Sequence, residues 1–233
     1  MTFVTLNGVK STTLDGLLIQ SLPKITKPRM RTQIEEIDGR DGDVVTKLGY
    51  AAYDREMSVG LYGRFRLDEV IAFFTGEGTA IFSNEPDKVY RYQILEQIDY
   101  ERLLRFRTAV VKFHVQPFKY SSVEGVLSKD ASGIASFSVA NTGNVVSKPT
   151  VTVYGSGTVS LIVNGETTLT MAVGDDDFIT VDAERLEAYR GDTLKNRYVT
   201  GDYEKLKFSP GRNTVSWTGA VSRVDLQYYS RWI

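Results

Sequence analysis

Up to about residue 120 the hydrophobic positions switch between helical and two-residue periods; beyond it the two-residue period dominates. In LDEVIAFFTGEG, residues 67–78, Leu67, Val70, Ile71 and Phe74 recur at helical spacing. Asp68 and Glu69 sit in the first turn, where carboxylates oppose the positive end of the helix dipole, and Gly76 or Gly78 can end the helix. This helix is predicted to lay one apolar stripe on a sheet. Sheet partners are VYRYQIL, residues 89–95, where Tyr90, Tyr92 and Ile94 alternate with Arg91 and Gln93, and TAVVKFHV, residues 108–115, ended by Pro117, which has no amide to donate.

The stretch SSVEGVLSKDASG, residues 121–133, is small, polar and weakly patterned, and reads as a linker. Short alternating runs follow: FSV at 137–139, VTVY at 151–154, TVSLIV at 158–163, FITV at 178–181, KLKF at 205–208, NTVSW at 213–217 and VDLQYY at 224–229. GSG at 155–157 and Asn164-Gly165 lie between them; the second is a strong hairpin signal, because both residues tolerate positive φ. DAERLEAY, residues 182–189, reads as a short helical turn. The expected architecture is an α+β domain over 1–129, built of β-sheets with one principal helix, followed by an all-β two-sheet sandwich over 130–233.

Composition narrows the chemistry. With 28 basic against 29 acidic residues in 233, and both halves close to neutral, no overall field draws in nucleic acid or an anionic membrane. Cysteine is absent, which removes disulfides, thiolate nucleophiles and sulfur-ligated metal sites. No apolar run approaches the roughly 20 residues of a membrane helix, and the N-terminus lacks the pattern of an export signal.

Candidate chemistry is sparse. EEIDGRDGDV, residues 35–44, fails the calcium-loop spacing: from Asp38 the third position is Arg40, and from Asp41 the fifth is Val45. Asp38-Gly39 and Asp41-Gly42 read instead as turns in a solvent-facing connection or hairpin. Tyr50, Tyr53 and Tyr62 follow it, an aromatic and polar interleaving that suits a subunit interface. GDDDF at 174–178 reads as a solvated turn, although Asp175 and Asp177 together with backbone carbonyls could hold a weak calcium ion. His114, the chain's single histidine, falls on the Thr108, Val110 and Lys112 face of its strand, opposite Val111, Phe113 and Val115, and reads as a surface or interface residue. No serine sits in a nucleophile elbow, and TGEG at 75–78 follows a helix instead of opening one, so it offers phosphate no amide cradle. Arg102, Arg105 and Arg107 follow Glu96, Asp99 and Glu101, and read as surface or intersubunit ion pairing. No catalytic, cofactor-binding or metal-ligating residue is expected, and no cofactor.

The order of several fragments points to a family. FVTLNGVKS at 3–11, LDGLLIQSLPKITKPRMR at 14–31, EEIDGRDGDV, the GEG of 76–78, FSNEPDKVYRYQI at 82–94 and HVQPFKY at 114–120 together resemble the N-terminal domain of the distal tail (Dit) proteins of long-tailed phages. SFSVANTGNVVSKPTVTVYGSGTVSLIVNG at 136–165, SPGRNTVSWTG at 209–219 and the closing YYSRWI resemble that family's galectin-like sandwich. The resemblance implies a non-enzymatic hub: a homo-hexameric ring made by the N-terminal domains, joining the tail tube protein to the tail-associated tip protein at the virion tail tip after assembly in the bacterial host cytoplasm. It implies outer domains that offer a platform for receptor-binding proteins, with no specific nucleic-acid contacts and no membrane. Two other readings stand beside it: a carbohydrate-binding adhesion module resting on Trp217, and a hydrolase using Asp175, Asp177 or Glu184.

Overall fold

The computed structural model describes residues 2–233, with the side chains of Asp175 and Asp176 outside the described residues. Two compact units divide the chain, Met1–Ser122 and Val123–Trp232. Each has its own apolar core.

The first unit contains β1 (Val4–Leu6), β2 (Val9–Lys10), β3 (Leu17–Ser21), β4 (Met30–Glu36), β5 (Asp43–Tyr50), β6 (Tyr53–Leu61), β7 (Glu77–Phe82), β8 (Lys88–Gln93) and β9 (Ala109–Ser121). Seven of these form one curled antiparallel sheet in the order β2-β1-β7-β8-β9-β6-β3. Alternate residues supply its inner face: Met57 and Val59 on β6, Tyr90 and Tyr92 on β8, and Val111, Phe113 and Val115 on β9 are all buried. Two short helices contribute to the same core, α1 (Leu67–Phe73) through Val70 and the following Phe74, and α2 (Tyr100–Phe106) through Leu103.

Two expectations are corrected here. In place of one principal helix there are two of seven residues each, and α2 occupies the arginine-bearing stretch read as a charged surface run. Its start is set by Asp99, whose carboxylate accepts the Arg102 amide at 2.8 Å, and its end by Arg107 at φ 58°. Nor does Pro117 end its strand. The β8–β9 register jumps from Tyr92↔Val115 to Tyr90↔Lys119, so Pro117 sits within a bulge where no ladder amide is needed.

The second unit is β-rich: β10 (Gly125–Asp130), β11 (Ser136–Asn141), β12 (Thr150–Val163), β13 (Glu166–Asp182), β14 (Glu187–Arg190), β15 (Thr193–Leu194), β16 (Val199–Gly201) and β17 (Gly211–Tyr228). The order is β10-β17-β12-β13-β14-β15, with β11 also on β17 and β16 also on β13. Asn164 (φ 54°) and Gly165 (φ 86°) make the hairpin between β12 and β13, as their sequence predicts. Runs predicted as separate short strands are instead continuous. VTVY and TVSLIV are one strand through the GSG, where Gly155 lies so close to Ala220 that a Cβ would stand 2.1 Å from its carbonyl oxygen. NTVSW and VDLQYY are likewise one strand, with β11 paired along its first part and β10 along its last. The predicted helical turn at 182–189 is the turn and strand of a β13–β14 hairpin, with Leu186 at φ 58°.

Register explains how these long strands feed one core. On β17 the buried apolar residues are Val215 and Trp217, then Val224 and Leu226, so the inward set changes parity. Pairing with β12 passes from Tyr154↔Arg223 to Gly155↔Val221, which leaves Ser222 as one extra residue. The Ser222 carbonyl accepts the Ala131 amide at 2.8 Å, so the bulge is satisfied instead of wasted.

Candidate assembly surface

Strands β4 and β5 stand apart as a two-stranded sheet, paired from Met30↔Tyr50 at the root to Glu36↔Asp43 at the tip. The tip loop holds Gly39 at φ 79° and Gly42 at φ 80°, so EEIDGRDGDV is a hairpin end, as read. Nearly every side chain on the ribbon is exposed, including Ile34 (58%) and its cross-strand partner Val45 (50%), with Ile37 and Leu48 close behind. A lone two-stranded ribbon is marginal in water, and the exposed Ile34–Val45 pair leaves apolar surface wet on it. Among the described residues no group of three or more side chains is placed to hold a metal ion, the five tip acids included.

The ribbon's root is held by contrast very firmly. The Ala51 amide donates to the Arg29 carbonyl at 2.8 Å, and Tyr50 packs edge-on against Phe118. Leading into β4, the irregular segment 22–29 carries Pro23 and Pro28. The Pro23 carbonyl accepts from Arg55 and, at 3.0 Å, from the Asn84 amide, while Lys24 offers its carbonyl to Arg55 at 3.1 Å. Arg55 is 3% exposed and lies over the rings of Phe82 and Tyr90. Glu85 balances it: its carboxylate meets Arg55 at 3.5 Å, accepts from Lys119 at 2.7 Å, and takes a short hydrogen bond from the Tyr90 hydroxyl. Burial pushes the Glu85 carboxyl up, but the Lys119 and Tyr90 hydrogen bonds outweigh it and hold the group below the usual glutamate value. The Tyr90 phenol is raised, by burial first and then by Glu85.

Sequence reading missed this cluster, although a signal was present. Arg55 shares the inward face of Tyr53, Met57 and Val59, and a charge on an apolar face demands a partner.

The remaining named residues do not converge. His114 is on the outer face as expected, its Nδ1 2.8 Å from Asp54, which also meets Lys112 at 3.1 Å; these contacts, His114 first, hold the Asp54 carboxyl low. Asp177 is ion-paired with Arg190, and the side chain of Asp175 lies outside the described residues. Glu184 is exposed in the β13–β14 turn, five residues of strand and a turn away from Asp177, about 16 Å along β13 alone. Asp177 and Glu184 therefore share no cleft geometry for hydrolysis. Trp217 is 6% exposed and packs on Phe137 at 5.8 Å between ring centroids, so it is a core residue with no open face for a sugar, and the carbohydrate-binding reading loses its support. Of the arginines near α2, Arg105 pairs with Glu101 at 3.5 Å, and Arg107 lies over Phe65.

No protein-family model matches the chain, and no curated protein matches it significantly. Among solved structures, the chain is similar over its whole length to the crystal structure of the Dit protein of phage SPP1, described as a paradigm of hub adsorption apparatus in Gram-positive infecting phages: 16% identity, 100% of both chains covered, TM-score 0.75. It is also similar to a chain of the phage P2 baseplate in its activated conformation with Ca, at 10% identity with 98% and 97% covered and TM-score 0.52, and to the same baseplate with Sr at TM-score 0.51. The fold is therefore one that phage hub and baseplate proteins use.

Proposed function

We infer that this chain is a non-enzymatic structural hub of a phage tail tip or baseplate. The observation that carries this reading is the match to the SPP1 Dit protein across the full length of both chains. In its finer form, residues 1–129 build a homo-hexameric ring between the tail tube protein and the tail-associated tip protein. Residues 130–233 form a galectin-like sandwich at the ring's periphery, an attachment platform for receptor-binding proteins. The particle is assembled in the host cytoplasm and the protein resides at the virion tail tip.

Three further features support it. The ribbon exposes the apolar Ile34–Val45 pair, which a monomer leaves wet. Near-neutral charge lets like subunits pack without strong mutual repulsion. The lone histidine is committed to Asp54 and there is no cysteine, which leaves little nucleophilic chemistry to assign.

Labelled electron microscopy of the parent particle tests the location, with signal expected at the distal end of the tail. Light scattering and negative-stain imaging of the purified chain test the ring, with six-fold particles expected. Label found on the capsid or along the tail shaft sinks the assignment.

A further inference from the structure

Asn-Gly occurs twice in the chain, at 7–8 and 164–165, and the two pairs share one local build. Each asparagine stands at positive φ in a two-residue hairpin turn, Asn7 at 49° and Asn164 at 54°, and reaches across to a third strand. The Asn7 backbone amide donates to the Thr79 carbonyl at 2.9 Å, and the Thr79 amide donates back to Asn7 Oδ1 at 2.8 Å. The Asn164 backbone amide likewise donates to the Thr214 carbonyl at 2.9 Å, and the Thr214 amide donates back to Asn164 Oδ1 at 2.9 Å. Gly78 makes room for the first clasp, since a Cβ there would stand 1.8 Å from Asn7 Oδ1.

Before glycine, an asparagine side chain is open to attack by the next backbone nitrogen, because glycine has no side chain to hinder the approach. The glycine nitrogen bonds to Cγ, the side-chain nitrogen leaves as ammonia, and water then opens the cyclic imide at either carbonyl to give aspartate or isoaspartate. That attack needs the side-chain amide turned back over its own chain, whereas both clasps hold it towards a neighbouring strand. They differ in how hard they hold. Asn164 Nδ2 donates at 2.9 Å to Asn213 Oδ1, and Asn213 is 1% exposed and fixed by further bonds to Ser209 and Gly211. The Asn164 hairpin joins strands of 14 and 17 residues. Asn7 Nδ2 donates to the Glu77 carbonyl at 3.1 Å in an exposed position, and its hairpin ends in β2, two exposed residues at the sheet edge. Opening costs little at such an edge and approaches the cost of global unfolding in the middle of long strands. We propose that Asn7 is a deamidation site of the folded chain, opened by fraying of β2, and that Asn164, the same dipeptide, is locked until the second unit unfolds. Conversion at Asn7 sets a carboxylate oxygen against the Glu77 carbonyl, and isoaspartate also lengthens the turn that fixes the β1–β2 register.

Peptide mass mapping of the full chain during incubation in mildly alkaline buffer, folded and in denaturing urea, tests the assignment. In urea the two sites should convert at similar rates. In the folded protein Asn7 should convert at least roughly tenfold faster than Asn164, and amide exchange should be faster at Thr79 than at Thr214. Asn213→Ala, which takes away the partner of Asn164 Nδ2, should narrow the gap. In the wild type, urea just below the unfolding midpoint should raise the rate at Asn164 more than at Asn7. Equal rates at the two sites in the folded protein, faster conversion at Asn164, or no conversion at Asn7 until the chain is denatured overturns the proposal, and each leaves the hub reading untouched.

Discussion

Tyr50 and Phe118 meet edge to face, their ring centroids 5.9 Å apart and their planes at 77°, where the ribbon joins the curled sheet. Tyr50 is the last residue of β5, and Phe118 lies in β9 beside the bulge at Pro117. The contact therefore couples the orientation of the ribbon to a strand in the middle of the sheet.

Tyr50→Ala is expected to cost about 1 kcal/mol of global stability, the scale of one aromatic pair with partial burial. Hydrogen–deuterium exchange should rise selectively over 30–50 while the sheet keeps its protection. Equal loss of protection in β6 and β9 counts against a role confined to the ribbon's root.

The Arg55–Glu85–Lys119 cluster predicts a larger effect. Glu85→Ala leaves two nearly buried cations without their carboxylate and is expected to cost about 3 kcal/mol or more in urea unfolding. A volume-conserving Arg55→Met, Glu85→Gln pair leaves one such cation, Lys119, where Glu85→Gln alone leaves two, and should be milder than Glu85→Gln alone.

Acid sensitivity follows from the same group. The Glu85 carboxyl is depressed in the folded chain, so its contribution is full above the ordinary glutamate value of about 4.3 and is lost as pH falls through the lower folded value. Unfolding midpoints should decline below about pH 4.3. The decline should be shallower in Glu85→Gln; identical pH profiles for the two proteins refute the assignment.

At Ser222, identity and presence have different consequences. Ser222→Ala touches an exposed side chain and should change stability by less than about 0.5 kcal/mol. Deleting the residue turns Val224 and Leu226 outward or forces a slip in the pairing with β12, and the second unit should fail to fold, as read by loss of near-ultraviolet dichroism.

Trp217→Ala, which empties a packed core position, is expected to cost about 3–5 kcal/mol, whereas Trp217→Phe costs less. Glycan binding should be absent in the wild type and therefore unaffected by either change; saturable binding abolished by Trp217→Phe revives the carbohydrate reading.

Much of this architecture is legible in the alternation itself. β8, the first part of β9, the Asn164-Gly165 hairpin and the helix from Leu67 follow from local period and turn chemistry, where side chain and backbone preferences agree. The misreadings occur where a tertiary contact decides. Gly155 and Pro117 carry the residue types of chain turns, yet long-range pairing makes them bulges inside continuous strands. The polar run at 121–133, read as a linker, contains β10, because β17 supplies a ladder that its own composition does not announce. KLKF illustrates a mixed case: Leu206 and Phe208 are buried as alternation predicts, but 203–205 is a 3₁₀ turn and Phe208 makes only an isolated bridge to Ser147. The exposed ribbon tip is partly legible in the polarity of 35–44; the anchoring of its root by Arg55 is not, since the carbonyls Arg55 holds lie some thirty residues away in sequence.

The way the ribbon is held makes it a lever arm. Seven paired positions at about 3.3 Å each carry the tip roughly 23 Å from its pivot, so a tilt of about 10° at Pro23 and Tyr50 swings the carboxylates by about 4 Å. Whatever the Arg55 guanidinium does to two proline-segment carbonyls is thus magnified several times at the far end. Stiffness at that fulcrum sets how closely the position of the tip is fixed.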